Sequence, residues 1–175
     1  MNFEFIKAVD AEFFQRTKAA WLEQILANQD SANATHYDAR LAHLEKTVTG
    51  DMLTSDGGGC VCAVVENGND YASALVVISH AKDHFLKMMD ITVQPTLDLA
   101  ETEPNIHELA WIAATAITGS LTLTYAEYPS RELRIYTTFP LDSDFLASVA
   151  TALFRNETPH FGVTKRGNWL VVSKK

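Results

Sequence analysis

Three strand-like runs stand almost end to end between residues 60 and 94, and this series restricts the fold more than any other feature. They are CVCAVVENG (60–68), YASALVVISHA (71–81) and FLKMMDITVQ (85–94). Each is rich in β-branched and apolar residues over a strand-like length. Asn67-Gly68-Asn69 carries the chemistry of a hairpin turn. Lys82-Asp83-His84 is a polar break suited to a second short turn. Turns this short join antiparallel neighbours, so the three runs are expected to form a meander. Met88 and Met89 are read as packing residues, one on each face of the third run. Ahead of the series lies Ser55-Asp56-Gly57-Gly58-Gly59. Its glycines lead into a strand, whereas a phosphate loop leads out of a strand into a helix, and no Walker lysine follows.

Helical periodicity flanks the meander on both sides. FEFIKAV (3–9) alternates as a short strand, and Asp10 then stands as a helix N-cap. Phe13, Phe14, Thr17, Trp21, Leu22 and Ile25 recur at helical spacing, giving a helix over 11–28. Tyr37, Leu41, Leu44 and Val48 mark a second helix from Ser31 to Thr47, with Gly50 as its stop. After Gln94-Pro95, residues 95–105 read as an acidic loop or frayed turn. Asn105 and Glu108 have capping-box spacing. Leu109, Ile112, Ala113, Ala116, Ile117 and Leu121 form one stripe of a helix over 106–125, in which Gly119 is a weak point. RELRIYTTF (131–139) alternates as a strand, and Pro140 ends it. Asp142 or Ser143 caps a helix through Phe154, and two short strands close the chain around Lys165-Arg166-Gly167-Asn168. The order is β-α-α-β-β-β-α-β-α-β-β, read as one domain over 1–175.

Composition then removes several classes of function. The 175 residues are 47% hydrophobic and carry a formal net charge of −8. Nucleic-acid affinity comes largely from basic groups neutralising phosphates, and the 14 Lys and Arg are scattered without a run. Nucleic acid and anionic membrane are therefore not expected as partners. The N-terminus has early acids and no apolar run of signal-peptide type, and no long apolar stretch occurs, so the cytoplasm is the expected location. Cys60 and Cys62 are two apart and point to one face of a strand. Zinc wants four ligands and no second Cys pair exists, so they read as two small apolar residues, and no metal is expected. His80, His84 and His107 read as surface or capping residues, and Trp21 and Trp111 as core or interface fillers.

This order of elements resembles the GNAT (acyl-CoA N-acyltransferase) superfamily. Local features agree: Val93-Gln94-Pro95 looks like the V-x-P with which members leave the fourth strand. Ala152-Leu153-Phe154 with Phe161-Gly162, and the ending Gly167 to Lys174, resemble the passage into the last strands. The resemblance implies a mixed, mostly antiparallel central sheet with helices on both faces. It further implies that the fourth strand splays from the fifth and that the gap holds the pantetheine arm of acetyl-CoA or another acyl-CoA. Backbone groups of Ile91, Thr92 and Val93 would then bond the pantetheine amides, with Asn105 and Ile106 at the helix start beside the pyrophosphate. The acceptor would be a small-molecule or peptide amine. Homodimerisation is expected on base rates.

The sequence departs from that pattern in two places. The family's pyrophosphate loop reads (R/Q)-x-x-G-x-(G/A). Between Pro95 and Asn105 there is neither Gly nor a basic residue, but Asp98, Glu101 and Glu103. Many members also place a Tyr in the helix before the last strands to protonate the leaving thiolate, and here that position is Phe154. Asp90 and Glu66 are the candidate general bases. Two function classes follow: an acyl-CoA-dependent N-acyltransferase with a degenerate pyrophosphate loop, or a non-catalytic module of the same fold that binds a ligand or a protein.

Overall fold

The computed structural model describes residues 2–27, 31–50, 59–81, 85–98, 106–136, 143–157 and 161–174. Expectations for Ser55–Gly58, Asp83, His84, Asn105, residues 137–142 and the acids Glu101 and Glu103 lie outside them.

Among the described residues seven strands form one sheet in the order β1-β2-β3-β4-β5-β7-β6. They are β1 (Phe3–Ile6), β2 (Gly59–Glu66), β3 (Ala74–Ala81), β4 (Phe85–Val93), β5 (Glu132–Tyr136), β6 (Phe161–Arg166) and β7 (Trp169–Lys174). The helices are α1 (Ala11–Ala27), α2 (Ser31–Val48), the single turn α3 (Pro95–Asp98), α4 (Ile106–Leu123) and α5 (Ser143–Glu157). All strand pairings are antiparallel except β4 with β5. The expected sheet, with helices on both faces, is present. No helix among the described residues is long and apolar enough to cross a membrane.

Alternation along the strands divides the core in two. Leu86, Met88, Ile91 and Val93 of β4 face α4 and α5, meeting Leu109, Ile112, Ala116, Ile117 and Leu146. Phe14, Trp21 and Ile25 of α1, with Tyr37, Leu41 and Leu44 of α2, cover Val61, Ala63, Leu75 and Val77 on the other face. Each helix buries the stripe its spacing implied. Gly119 explains itself here. A Cβ at this position would stand 2.1 Å from Cγ of Phe5, so the helix position that is weak by propensity is where α4 and β1 approach too closely for any side chain.

Four expectations are corrected. β3 begins at Ala74 rather than residue 71. Trp21 Nε1 donates to the Ala72 carbonyl at 2.8 Å, and the Ala72 N–H donates to Thr17 Oγ1 at 3.1 Å. Helix side chains thus take backbone groups that a ladder would otherwise use. β1 ends at Ile6, and the next carbonyl, of Lys7, accepts from Cys62 Sγ at 2.9 Å. The stretch after Gln94 opens with a helical turn, α3, in which Pro95 takes the first position, where its missing N–H costs nothing. Trp111, expected as a core or interface filler, is 57% exposed on α4, which removes the core half of that expectation.

Candidate functional site

The decisive local feature lies in the middle of β4. Facing β3, the register runs Val77 with Asp90 and then Ile78 with Met88, so Met89 is an extra residue with no partner. A β-bulge of this kind bends its strand and increases its twist. It also resets the alternation: Leu86 and Met88 before it, Ile91 and Val93 after it, all point to the α4 face. Met89 itself is 37% exposed, so the pairing of Met88 and Met89 as two packing residues holds only for Met88, which is fully buried.

β4 and β5 part at this bulge. They pair from Phe85 with Glu132 to Met88 with Ile135 and, among the described residues, no further. Tyr136, the next residue of β5, has its neighbour on β7 and none on β4. β4 continues to Val93 with β3 alone beside it among the described residues. Because the Gln94 N–H donates to the Ser73 carbonyl at 2.9 Å, the two-residue period of an antiparallel ladder turns Thr92 and Asp90 toward β3 as well. The N–H and C=O groups of Ile91 and the N–H of Val93 therefore face the gap, and the Val93 carbonyl accepts from the Tyr37 hydroxyl. Of the three strand positions implied by the resemblance, Ile91 presents its main chain there and Val93 its N–H, and Thr92 presents its own main chain to β3.

Side chains from α1 and α2 hold this end of β4 in place. The Tyr37 hydroxyl lies 3.1 Å from the Val93 carbonyl and 2.7 Å from Asp98 Oδ2. Gln24 Oε1 accepts from the Thr96 N–H at 3.4 Å. Arg40 Nη2 reaches both carboxylate oxygens of Asp90 at 3.3 and 3.5 Å, and Thr92 Oγ1 donates to Asp90 Oδ2 at 3.1 Å. Asp90 thus stands where the gap opens, with its carboxylate already engaged. Burial, followed by the Asp98 carboxylate, pushes the Tyr37 phenol well above its ordinary value.

Two consequences of Tyr37 are measurable. Tyr37→Phe is expected to lower stability by about 1–3 kcal/mol, the loss of a buried hydrogen bond, read by chemical denaturation. The second is pH-dependent. Above pH ~10 a tyrosine in the unfolded chain releases its proton, whereas folded Tyr37 keeps it. The folded state then binds more protons, so the stability present below pH ~10 falls as pH rises, by at most about 1.4 kcal/mol per pH unit from this group. Tyr37→Phe should remove that part of the slope between pH ~10 and ~11.

The other expected site residues are scattered. Glu66 ends β2, opposite Phe3 of β1 and two strands from β4, about 10 Å at the usual strand spacing. Its nearest electrostatic neighbour of note is Glu108 in the first turn of α4, whose carboxyl is raised first by burial and then by Glu66. Ile106 opens α4 and is 55% exposed. Phe154 packs on Phe161 with ring centroids 5.2 Å apart. No group of three or more metal-binding side chains comes together among the described residues. His80 stacks on Tyr128 at 5.4 Å. Sequence reasoning missed Tyr37 and Arg40, and the only signal for either was the helical stripe to which Tyr37 belongs.

A hollow lies elsewhere, at the start of β4 and β5. It measures about 770 Å³ and is lined by Phe85, Tyr125, Arg131, Glu132, Arg134 and Lys174, among others. Arg134 pairs with Glu132 and stacks on Phe85, and Lys174 donates to the carbonyls of Thr124 and Ser130. Two of its three cations are thereby engaged within the protein.

No family model matches the sequence, and no curated protein matches it. Among solved structures the chain is similar to an acetyltransferase of the GNAT family from Staphylococcus aureus Mu50, at 12% identity over 99% of both chains with a TM-score of 0.45. It is also similar to a Bacillus subtilis acetyltransferase in complex with CoA, at 10% identity over 98% of this chain and 95% of that one, TM-score 0.40. A GNAT family acetyltransferase from Elizabethkingia anophelis with acetyl-CoA bound matches 67% of this chain and 76% of its own, at 12% identity and TM-score 0.37. These likenesses are distant, and the functional reading rests on the chain's own strands.

Proposed function

We propose that the protein is an acyl-CoA-dependent N-acyltransferase in which the gap between β4 and β5 takes the pantetheine arm. One observation carries this reading: among the described residues the β4–β5 ladder stops at Met88 and Ile135, while β4 runs on with the main chain of Ile91 and the N–H of Val93 turned away from β3. Strand amides at a fixed two-residue spacing, with no second strand beside them among the described residues, suit a ligand that itself contains amides, as in strand addition. Bound there, an acyl-CoA would supply an activated thioester. The residues around it have separate tasks. Ile91 and Val93 orient the arm, and main-chain N–H groups near the bulge can polarise a carbonyl. Asp90 is the carboxylate nearest the opening, and Arg40 and Thr92 fix its position. An amine, small-molecule or peptide, is the acceptor. The start of α4 offers N–H groups to the diphosphate, although Glu108 opposes that charge.

Two observations favour a second reading, in which the same gap binds a ligand without transfer: Phe154 has no hydroxyl, and the Asp90 carboxylate is held by Arg40. One experiment separates the readings. Acetyl-CoA at about a hundredfold excess over its dissociation constant should stabilise the fold by about 2.7 kcal/mol. Release of free CoA thiol with a panel of amines then supports transfer, and stabilisation without release supports binding alone. No stabilisation by acetyl-CoA, longer acyl-CoA or free CoA contradicts both.

A further inference from the structure

Cys60 and Cys62 lie on the face of β2 that packs toward α4, two strands from the gap. Their sulfurs are 3.7 Å apart. Cys62 is fully buried and Cys60 is half-buried. The Lys7 carbonyl accepts from Cys62 Sγ at 2.9 Å and lies 3.6 Å from Cys60 Sγ. The Tyr128 hydroxyl, on a ring stacked against His80, points at Cys60 Sγ from 4.0 Å. The pair thus has an outer sulfur with the Tyr128 hydroxyl on one side and the Cys62 sulfur on the other, and an inner sulfur anchored to the backbone behind it. Nothing in the proposed acyl transfer uses either.

We propose that Cys60 and Cys62 form a dithiol site that exchanges with low-molecular-weight disulfides, Cys60 attacking and Cys62 resolving. The Cys60 thiolate attacks one sulfur of the small disulfide, whose S–S bond breaks. The first small thiol leaves with the proton that Cys60 gave up, and a mixed disulfide stays on Cys60. Cys62 then attacks the Cys60 sulfur and passes its own proton to the second departing thiol. The protein dithiol is oxidised by two electrons to an internal disulfide, and the small disulfide is reduced to two thiols.

The roles follow from position. When Cys60 ionises, the one Cys62 proton can turn from the Lys7 carbonyl to its sulfur; that bond, with help from Tyr128 and against burial and the Glu127 charge, holds the Cys60 thiol at about 7, and attack needs the thiolate. Hydrogen bonding to Cys60, then burial, pushes Cys62 upward, so it keeps its proton until the mixed disulfide forms beside it. The bond so formed is reversible. Alternate residues of a strand are about 6.6 Å apart, at the upper end of the Cα separation that a disulfide spans, and strained disulfides are the more reducible ones.

These are the chain's only two cysteines, so intact mass reads the chemistry directly. The reduced protein is treated with oxidised glutathione, and iodoacetamide labelling of untreated protein gives the order of reactivity. The wild type should become lighter by two hydrogens, resist alkylation, and recover with dithiothreitol. Untreated, it should be alkylated at Cys60 before Cys62. Cys62→Ala, which keeps the buried site apolar, should stop with one glutathione attached, and Cys60→Ser should acquire none. The proposal is overturned by wild type that retains glutathione or forms protein–protein disulfides, or by first labelling at Cys62. Labelling of the wild type needs no variant, so a variant that fails to fold leaves that result decisive. None of these readouts involves acyl-CoA.

Discussion

Trp21→Ala should lower the stability of the fold by about 3–5 kcal/mol, the usual range for truncating a fully buried large aromatic. Trp21 has no exposed surface, meets Tyr37 edge-on with ring centroids 6.1 Å apart, and donates to the Ala72 carbonyl. Truncation leaves a cavity under the β2–β3 connection and a carbonyl without its donor. For a chain of this length the melting temperature should fall by roughly 6–20 °C. Trp21→Phe restores most of the volume and should lose only about 1–2 kcal/mol, attributable to the hydrogen bond. Calorimetry of the two variants separates these contributions. Equal losses would mean that packing between α1 and α2 is not what secures this face of the sheet.

Deleting Met89 should weaken acetyl-CoA binding about a hundredfold while leaving the fold intact. The deletion removes the bulge and nothing else from the pattern. Leu86, Met88, Ile91 and Val93 keep their common face, because the bulge had inserted one residue between an even-numbered pair and an odd-numbered pair, and its removal brings the two into step. A straightened β4 loses the bend and added twist of the bulge, so the main chains of Ile91 and Val93 no longer stand open to a ligand in the same way. Acetyl-CoA affinity should then fall by about a hundredfold, equivalent to two or three hydrogen bonds of about 1 kcal/mol each. Wild-type affinity in the deletion variant would separate binding from the bulge.

The sequence showed the elements well where local pattern decides them. The helical stripes through Trp21, Leu41 and Ile112 all became buried faces, because helical spacing alone selects those residues. The bulge was written in the sequence as a change of parity, Leu86 and Met88 followed by Ile91 and Val93, yet a run of apolar residues hides such a slip when Met89 also counts as apolar. Pro95 signalled a helix start but was read as a strand stop, since proline suits both. The ties at the gap had no local signal: Arg40 meets Asp90 across 50 residues, and Tyr37 meets Asp98 across 61. The late start of β3 had the same origin, because Thr17 and Trp21 claim Ala72 from a different element. At Cys60 and Cys62 the shared face was legible, and the bond to the Lys7 carbonyl that orders the two sulfurs was not.

The amide resonances of Ile91 and Val93 offer the most direct measurement, in an isotope-labelled sample titrated with free CoA and then with pantetheine alone. Both signals should move, saturably and in both titrations, while Asp90 and Thr92, whose amides serve β3, move far less. Shifts confined to other parts of the chain, or no shift at these two residues at saturating ligand, would contradict the claim that the parted strand is what this protein binds with.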